Sequence, residues 1–221
     1  MMLASESNSE VTTKVRCSAQ GGSPMVLTDI YQQEVNIAIW QRTLSQSLQR
    51  EVDEFLRVYP NFQKSLVLSP HQASAELYKV IDEVKCDELI ENITELIDMF
   101  CCLFELEQAG VRITVLNKAM CPRFHVDQVP CRLVSTYSGV CTEWLEHRDV
   151  NYDVLGHRSA GVPDVSSGLY GDESCIQQLG SGDVALLKGE RWMDNEGAGL
   201  VHRSPQVAGE QARLLITLDF H

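Results

Sequence analysis

The sequence predicts an α+β fold, with helices in the first half and an antiparallel β sandwich or barrel in the second. Three observations carry this expectation. Between residues 43 and 108, apolar side chains recur every three or four positions, the period of amphipathic helices. From Val111 onward, short apolar or alternating runs divided by turn residues take their place. The third is composition: 44% of the 221 residues are apolar, enough for one continuous core and cramped for two full domains. The expected organisation is a disordered tail over residues 1–25 and one globular domain over 26–221, mainly helical to 110 and β-barrel beyond.

Residues 1–24 are polar, end in Gly21-Gly22-Ser23-Pro24 and show no period, as a loose tail would. Residues 35–40, β-branched and aromatic, suit a strand. Over residues 43–59, Leu44, Leu48, Val52, Phe55 and Leu56 lie on one helical face, closed by Pro60. Residues 62–68 form a second candidate strand, after which Ser69 and Pro70 open a helix running to about Lys85. The clearest helix spans residues 87–108, where Leu89, Ile90, Ile93, Leu96, Ile97 and Phe100 hold one broad face and Gly110 supplies the stop. Further strands are expected at 111–116, 132–137, 184–187 and 213–220. Residues 146–179, rich in Gly, Ser and Asp, read as a long loop of the kind that covers a site.

With 31 acidic against 18 basic residues, the net charge of -13 repels phosphate backbones and anionic membranes. No nucleic-acid or membrane partner is expected. The strongest apolar run, residues 99–104, is far shorter than the roughly 20 residues of a membrane span. Residues 1–20 lack the basic and apolar regions of a secretory signal, so the cytoplasm is expected. The eight cysteines include no C-x-x-C pair and read as reduced thiols.

Common nucleotide-loop, serine-hydrolase and H-E-x-x-H signatures are missing. What remains lies in the β half. Residues i and i+2 of a strand face the same side, so His125 and Asp127 can present an imidazole and a carboxylate to one ion. His202, on a distant strand, would complete a facial triad with open positions, the arrangement of non-haem Fe(II) oxygenases. Arg213 follows after a Gly-containing turn, so the chain can leave the His202 strand and return beside it. Its guanidinium then suits the distal carboxylate of a co-substrate such as 2-oxoglutarate. Arg123, Arg132, Lys188 and Arg203 add a local positive patch, and Trp144 and Trp192 are candidates for a pocket wall.

Several runs also resemble a known family. They are Asn36-Ile-Ala-Ile-Trp-Gln-Arg42, Met120-Cys-Pro-Arg-Phe-His-Val-Asp127, Arg132-Leu-Val-Ser-Thr-Tyr-Ser-Gly139, Thr142-Glu-Trp-Leu145, Gly182-Asp-Val-Ala-Leu-Leu-Lys-Gly-Glu190 and Gly199-Leu-Val-His-Arg-Ser-Pro205. Together they resemble the largely bacterial family catalogued as domain of unknown function 1826, which implies a cytoplasmic protein without an established activity. Residues 182–220 separately resemble the closing strands of 2-oxoglutarate oxygenases. That likeness implies a double-stranded β-helix of jelly-roll or cupin type, with the N-terminal helices packed against it. It also implies His125, Asp127 and His202 as metal ligands, Arg213 as the co-substrate arginine and Tyr137 as a co-substrate contact. One departure is that Leu215 stands two residues after the arginine, where those enzymes often have a hydroxyl; the next hydroxyl is Thr217.

The leading expectation is an enzyme using Fe(II) and 2-oxoglutarate on a small-molecule substrate. An alternative is a non-catalytic zinc-binding protein of metal homeostasis, with Cys121 closing a tetrahedral site. A third is a zinc hydrolase using Glu143 or Glu190 as base.

Overall fold

The computed structural model describes residues 15–207 and 212–221. In chain order its strands are β1 (Cys17–Gly21), β2 (Val35–Trp40), β3 (Gln63–Leu68), β4 (Ala109–Leu116), β5 (Cys131–Ser138), β6 (Glu143–Leu145), β7 (Ile176–Gln178), β8 (Val184–Lys188), β9 (His202–Arg203) and β10 (Arg213–Phe220). Its helices are α1 (Gln46–Val58), α2 (Pro70–Val80), α3 (Asp87–Phe104) and the single turn α4 (Asp164–Ser167).

The three long helices form where the periodicity places them, but end where backbone hydrogen bonds find other partners. The Ser45 hydroxyl caps α1 by accepting the Leu48 N–H at 3.0 Å. α2 stops at Val80 rather than near Lys85, because the Tyr59 hydroxyl accepts the N–H groups of Asp82 and Glu83. α3 stops at Phe104, where Glu105 turns left-handed (φ 53°) and the Leu106 N–H closes back on the Cys101 carbonyl. Gly110, expected as that stop, lies inside β4 opposite Asp219.

The strands build a mixed α/β molecule around one large sheet, ordered β1-β2-β8-β5-β10-β4-β3, antiparallel except for β1 beside β2. The first half is therefore not only helical, since it supplies three of these strands. β1 falls within the expected tail. It is held by backbone pairing to β2, which apolar periodicity does not reveal, and Arg16 beside it is buried against Asn195. Residues 1–14 of that tail lie outside the described residues. A small sheet, β7-β6-β9, gains one more partner through the His125–His202 bridge.

The large sheet separates two environments. One face carries Leu133, Leu214, Ile216, Leu218, Ile113 and Leu186 into the main core with α1, α2 and α3. At about 25 cal/mol per Å² of apolar area, this burial drives the fold. The other face meets the small sheet through a second cluster that includes Ile37, Ala185 and Trp144. Alternation along each strand also turns Arg132, Thr136, Arg213 and Thr217 to that second side. No helix among the described residues is long and apolar enough to cross a membrane.

Candidate metal centre

The segment holding His125 and Asp127 is irregular rather than the regular strand expected. Reciprocal backbone hydrogen bonds of 3.0 Å tie His125 to His202, and the Asp127 carbonyl accepts the Glu190 N–H at 2.9 Å. The chain passes so close here that two glycines are required. A β-carbon on Gly189 would collide with the carbonyls of Val129 and Asp127, and one on Gly199 with Val126.

Three side chains meet as a result. His125 Nε2 lies 3.7 Å from Asp127 Oδ1 and His202 Nε2 lies 3.5 Å from Asp127 Oδ2. One ligand atom from each of the three falls within 4.8 Å of the others. Both imidazoles are already oriented: Nδ1 of His125 donates to the Arg123 carbonyl at 2.9 Å, and Nδ1 of His202 to the Leu200 carbonyl at 3.2 Å. Because a carbonyl only accepts, each ring carries its proton on Nδ1 and turns a lone pair on Nε2 inward. The arrangement suits a divalent cation bound by two nitrogens and one oxygen, with positions left over.

Charge follows the same design. Burial pulls the His202 imidazole down to about 4, against the opposing pull of Asp127, so the ring is neutral at physiological pH. Burial also lowers His125, but its contact with Asp127 and the Arg123 carbonyl outweigh that and raise it. Burial pushes the Asp127 carboxyl up, yet His125, His202 and Arg132 together hold it well below the usual carboxylate range. Arg132 is the fixed partner, donating to Asp127 Oδ2 at 2.8 Å while its other nitrogens clasp Asp219 at 2.7 and 2.9 Å.

A small cavity of about 70 Å³, lined by His125, His202 and Arg213, joins this cluster to the arginine. Arg213 is 1% exposed and donates to the hydroxyls of Ser204 (3.0 Å), Thr136 (3.1 Å) and Thr142 (2.7 Å). Its Nε has no partner, and no carboxylate pairs with it among the described residues. Burial draws this guanidinium down to about 10, still protonated at neutral pH. A buried cation without a counter-charge is costly unless an anion joins it.

A family model for a protein of unknown function, DUF1826, matches residues 21–219. The chain belongs to this DUF1826 family. No curated protein matches it in sequence. Similar solved structures include a rice dioxygenase for auxin oxidation, with 12% identity and TM-score 0.49 over 93% of this chain and 82% of that one. A Pseudomonas putida prolyl-4-hydroxylase has 10% identity and TM-score 0.42 over 89% and 98% of the two chains. A full-length Neurospora crassa protein, in complex with alpha-KG, has 9% identity and TM-score 0.45 over 84% and 74%.

The other expected site residues of this DUF1826 member divide. Arg132, Arg203 and Cys121 line the cavity. Arg203 is committed to Glu143 at 2.6 Å and stacks on Phe124, and Cys121 stands outside the three-residue cluster. Arg123 points instead into the long loop, donating to Ser159 and the Val162 carbonyl at 2.6 Å. Tyr137, five residues along β5 from Arg132, faces the helices and donates to Asn92 at 2.6 Å, so it is no cavity contact. Lys188 donates to the Gln32 carbonyl beneath Trp192, Trp144 packs in the second core cluster, and Glu190 accepts the Gly197 N–H. His202 and Arg213 lie on opposite sheets rather than neighbouring strands, and residues 208–211 between them lie outside the described residues. The hydroxyls around Arg213 were not singled out by sequence; the strand parity shared by Arg132 and Thr136 was their one signal.

Proposed function

We propose that this protein is a mononuclear Fe(II)/2-oxoglutarate-dependent dioxygenase acting on a small-molecule substrate, its two facing sheets forming a double-stranded β-helix. The observation that carries the reading is a pair. Two pre-oriented imidazoles converge with one carboxylate, and both imidazoles line a cavity that a buried arginine without a counter-charge also lines. In this reading His125, Asp127 and His202 hold the metal, and Fe(II) with 2-oxoglutarate supplies oxidation by dioxygen coupled to decarboxylation of the keto acid. Arg213 binds the distal carboxylate of the co-substrate, positioned by Ser204, Thr136 and Thr142. Arg132 donates to Asp127 Oδ2, so Oδ1, next to His125, would be the oxygen left for a metal. Neutral His202 offers a lone pair without first losing a proton.

Two observations favour this over a closed zinc site or zinc hydrolase. Cys121 is absent from the converging cluster, and Glu143 and Glu190 are both engaged elsewhere. The test is metal analysis of anaerobically purified protein, followed by an assay for succinate release from 2-oxoglutarate. Iron-dependent succinate formation, lost in Asp127→Ala, is expected. Stoichiometric, tightly held zinc with no binding of the keto acid would overturn the reading in favour of metal homeostasis.

A further inference from the structure

The cavity wall holds a second basic side chain that the proposed co-substrate does not use. Arg112 lies on β4, where the antiparallel register sets it directly opposite Thr217 of β10, and both line the cavity. Directly opposed residues place their β-carbons about 5 Å apart on one face, close enough to engage one group. Thr217 is 8% exposed, and its buried Oγ1 has no hydrogen-bond partner. Buried hydroxyls nearly always have one. Arg112 makes neither an ion pair nor a hydrogen bond among the described residues. By contrast, Arg132 is clasped by Asp219 and Arg203 by Glu143.

We propose that Arg112 and Thr217 form a second anion-binding position in this cavity, which takes a carboxylate or phosphate group of the primary substrate. A guanidinium and a hydroxyl from directly opposed positions on one cavity wall offer several N–H donors and one O–H donor, the complement of an oxyanion. The position is separate from that of Arg213. Thr217 stands four residues further along β10, about 13 Å of strand, so one carboxylate does not engage both ends. In a chain of net charge -13, a half-buried cation on the cavity wall with no ion pair among the described residues also draws anions to that spot. The assignment of the anion to the primary substrate rests on the co-substrate reading of Arg213; the anion position itself does not.

The test uses the full chain, first with Mn(II) and saturating 2-oxoglutarate and then free of both. Two probes are titrated: inorganic phosphate, followed by its ³¹P linewidth, and acetate, followed by saturation transfer. Whichever probe binds better identifies the anion class. Arg112→Gln is expected to weaken that probe at least tenfold and Thr217→Val about threefold, while 2-oxoglutarate affinity stays within about twofold. Arg213→Gln should show the reverse pattern. The proposal is overturned if wild-type protein binds neither probe, if Arg112→Gln leaves the probes unaffected, or if it weakens 2-oxoglutarate as much as Arg213→Gln does. If the probes bind through Arg112 but 2-oxoglutarate does not bind at all, the anion position stands and the co-substrate reading fails.

Discussion

Along β10, Leu214, Ile216 and Leu218 turn toward the helices and are buried among apolar side chains, whereas Arg213 and Thr217 turn the other way and line the cavity. The same backbone thus carries two faces under opposite rules. On the helix side, each side chain gains from leaving water and needs no specific partner. On the cavity side, Arg213 Nε and Thr217 Oγ1 are buried without a partner, a cost that a ligand would remove. The difference teaches where to look for function in such a sheet: at the face whose burial lowers stability.

Substitutions at the candidate metal cluster should have the largest effect. His202→Ala or Asp127→Ala is expected to weaken Fe(II) or Co(II) binding more than about 100-fold, since removing a ligand exceeds the 10–100-fold typical of an outer partner. Competition with a chelator measures this. Ile216→Ala, on the opposite face of the same strand, should instead cost about 2–5 kcal/mol of stability in denaturant titrations and leave metal affinity unchanged. Arg213→Gln should reverse the pattern. Keto-acid binding falls by about 2–5 kcal/mol in calorimetry, while the ligand-free protein keeps or gains stability because a buried charge is gone.

A pH effect of intermediate size follows from His202. Its folded pKa of about 4 lies below the ordinary 6.5, so its contribution is complete above pH 6.5 and is lost as pH falls toward 4. The loss is at most about 3 kcal/mol, at about 1.4 kcal/mol per unit. His125, whose pKa is raised, acts in the opposite sense, so the His202→Gln variant isolates the effect. Denaturant titrations at pH 7 and pH 5 should show a smaller pH-dependent loss in that variant than in wild type. The smallest change expected is Tyr137→Phe, about 1 kcal/mol from the lost bond to Asn92, with no change in 2-oxoglutarate affinity.

The helix side of the sheet was legible in the sequence because apolar periodicity records burial directly. β2 and β10 match their expected limits, and α1 and α3 differ only at their ends. The convergence of His125, Asp127 and His202 was legible for another reason. His-x-Asp and a distant His are rare residue types whose chemistry restricts what they can do together. Tyr137, a co-substrate contact only by resemblance, stands five positions from Arg132 on the same strand and so faces the other way. Arg123 looked like part of the positive patch, yet residues 159–164 capture it through loop contacts that carry no sequence period. Thr136, Thr142 and Ser204 were invisible because hydroxyls are common in strands and loops, and only the fold gathers them around Arg213. β1 was hidden because backbone pairing, not side-chain pattern, holds it.

The most direct measurement is an anaerobic titration of Fe(II) into the metal-free protein with 2-oxoglutarate present, followed by the weak visible charge-transfer band of the chelated keto acid. One equivalent should saturate the band, and none should form in His125→Ala, Asp127→Ala or His202→Ala. A band of full intensity in any of these three variants, or iron bound by the wild type with no band at all, would contradict a site built from these residues.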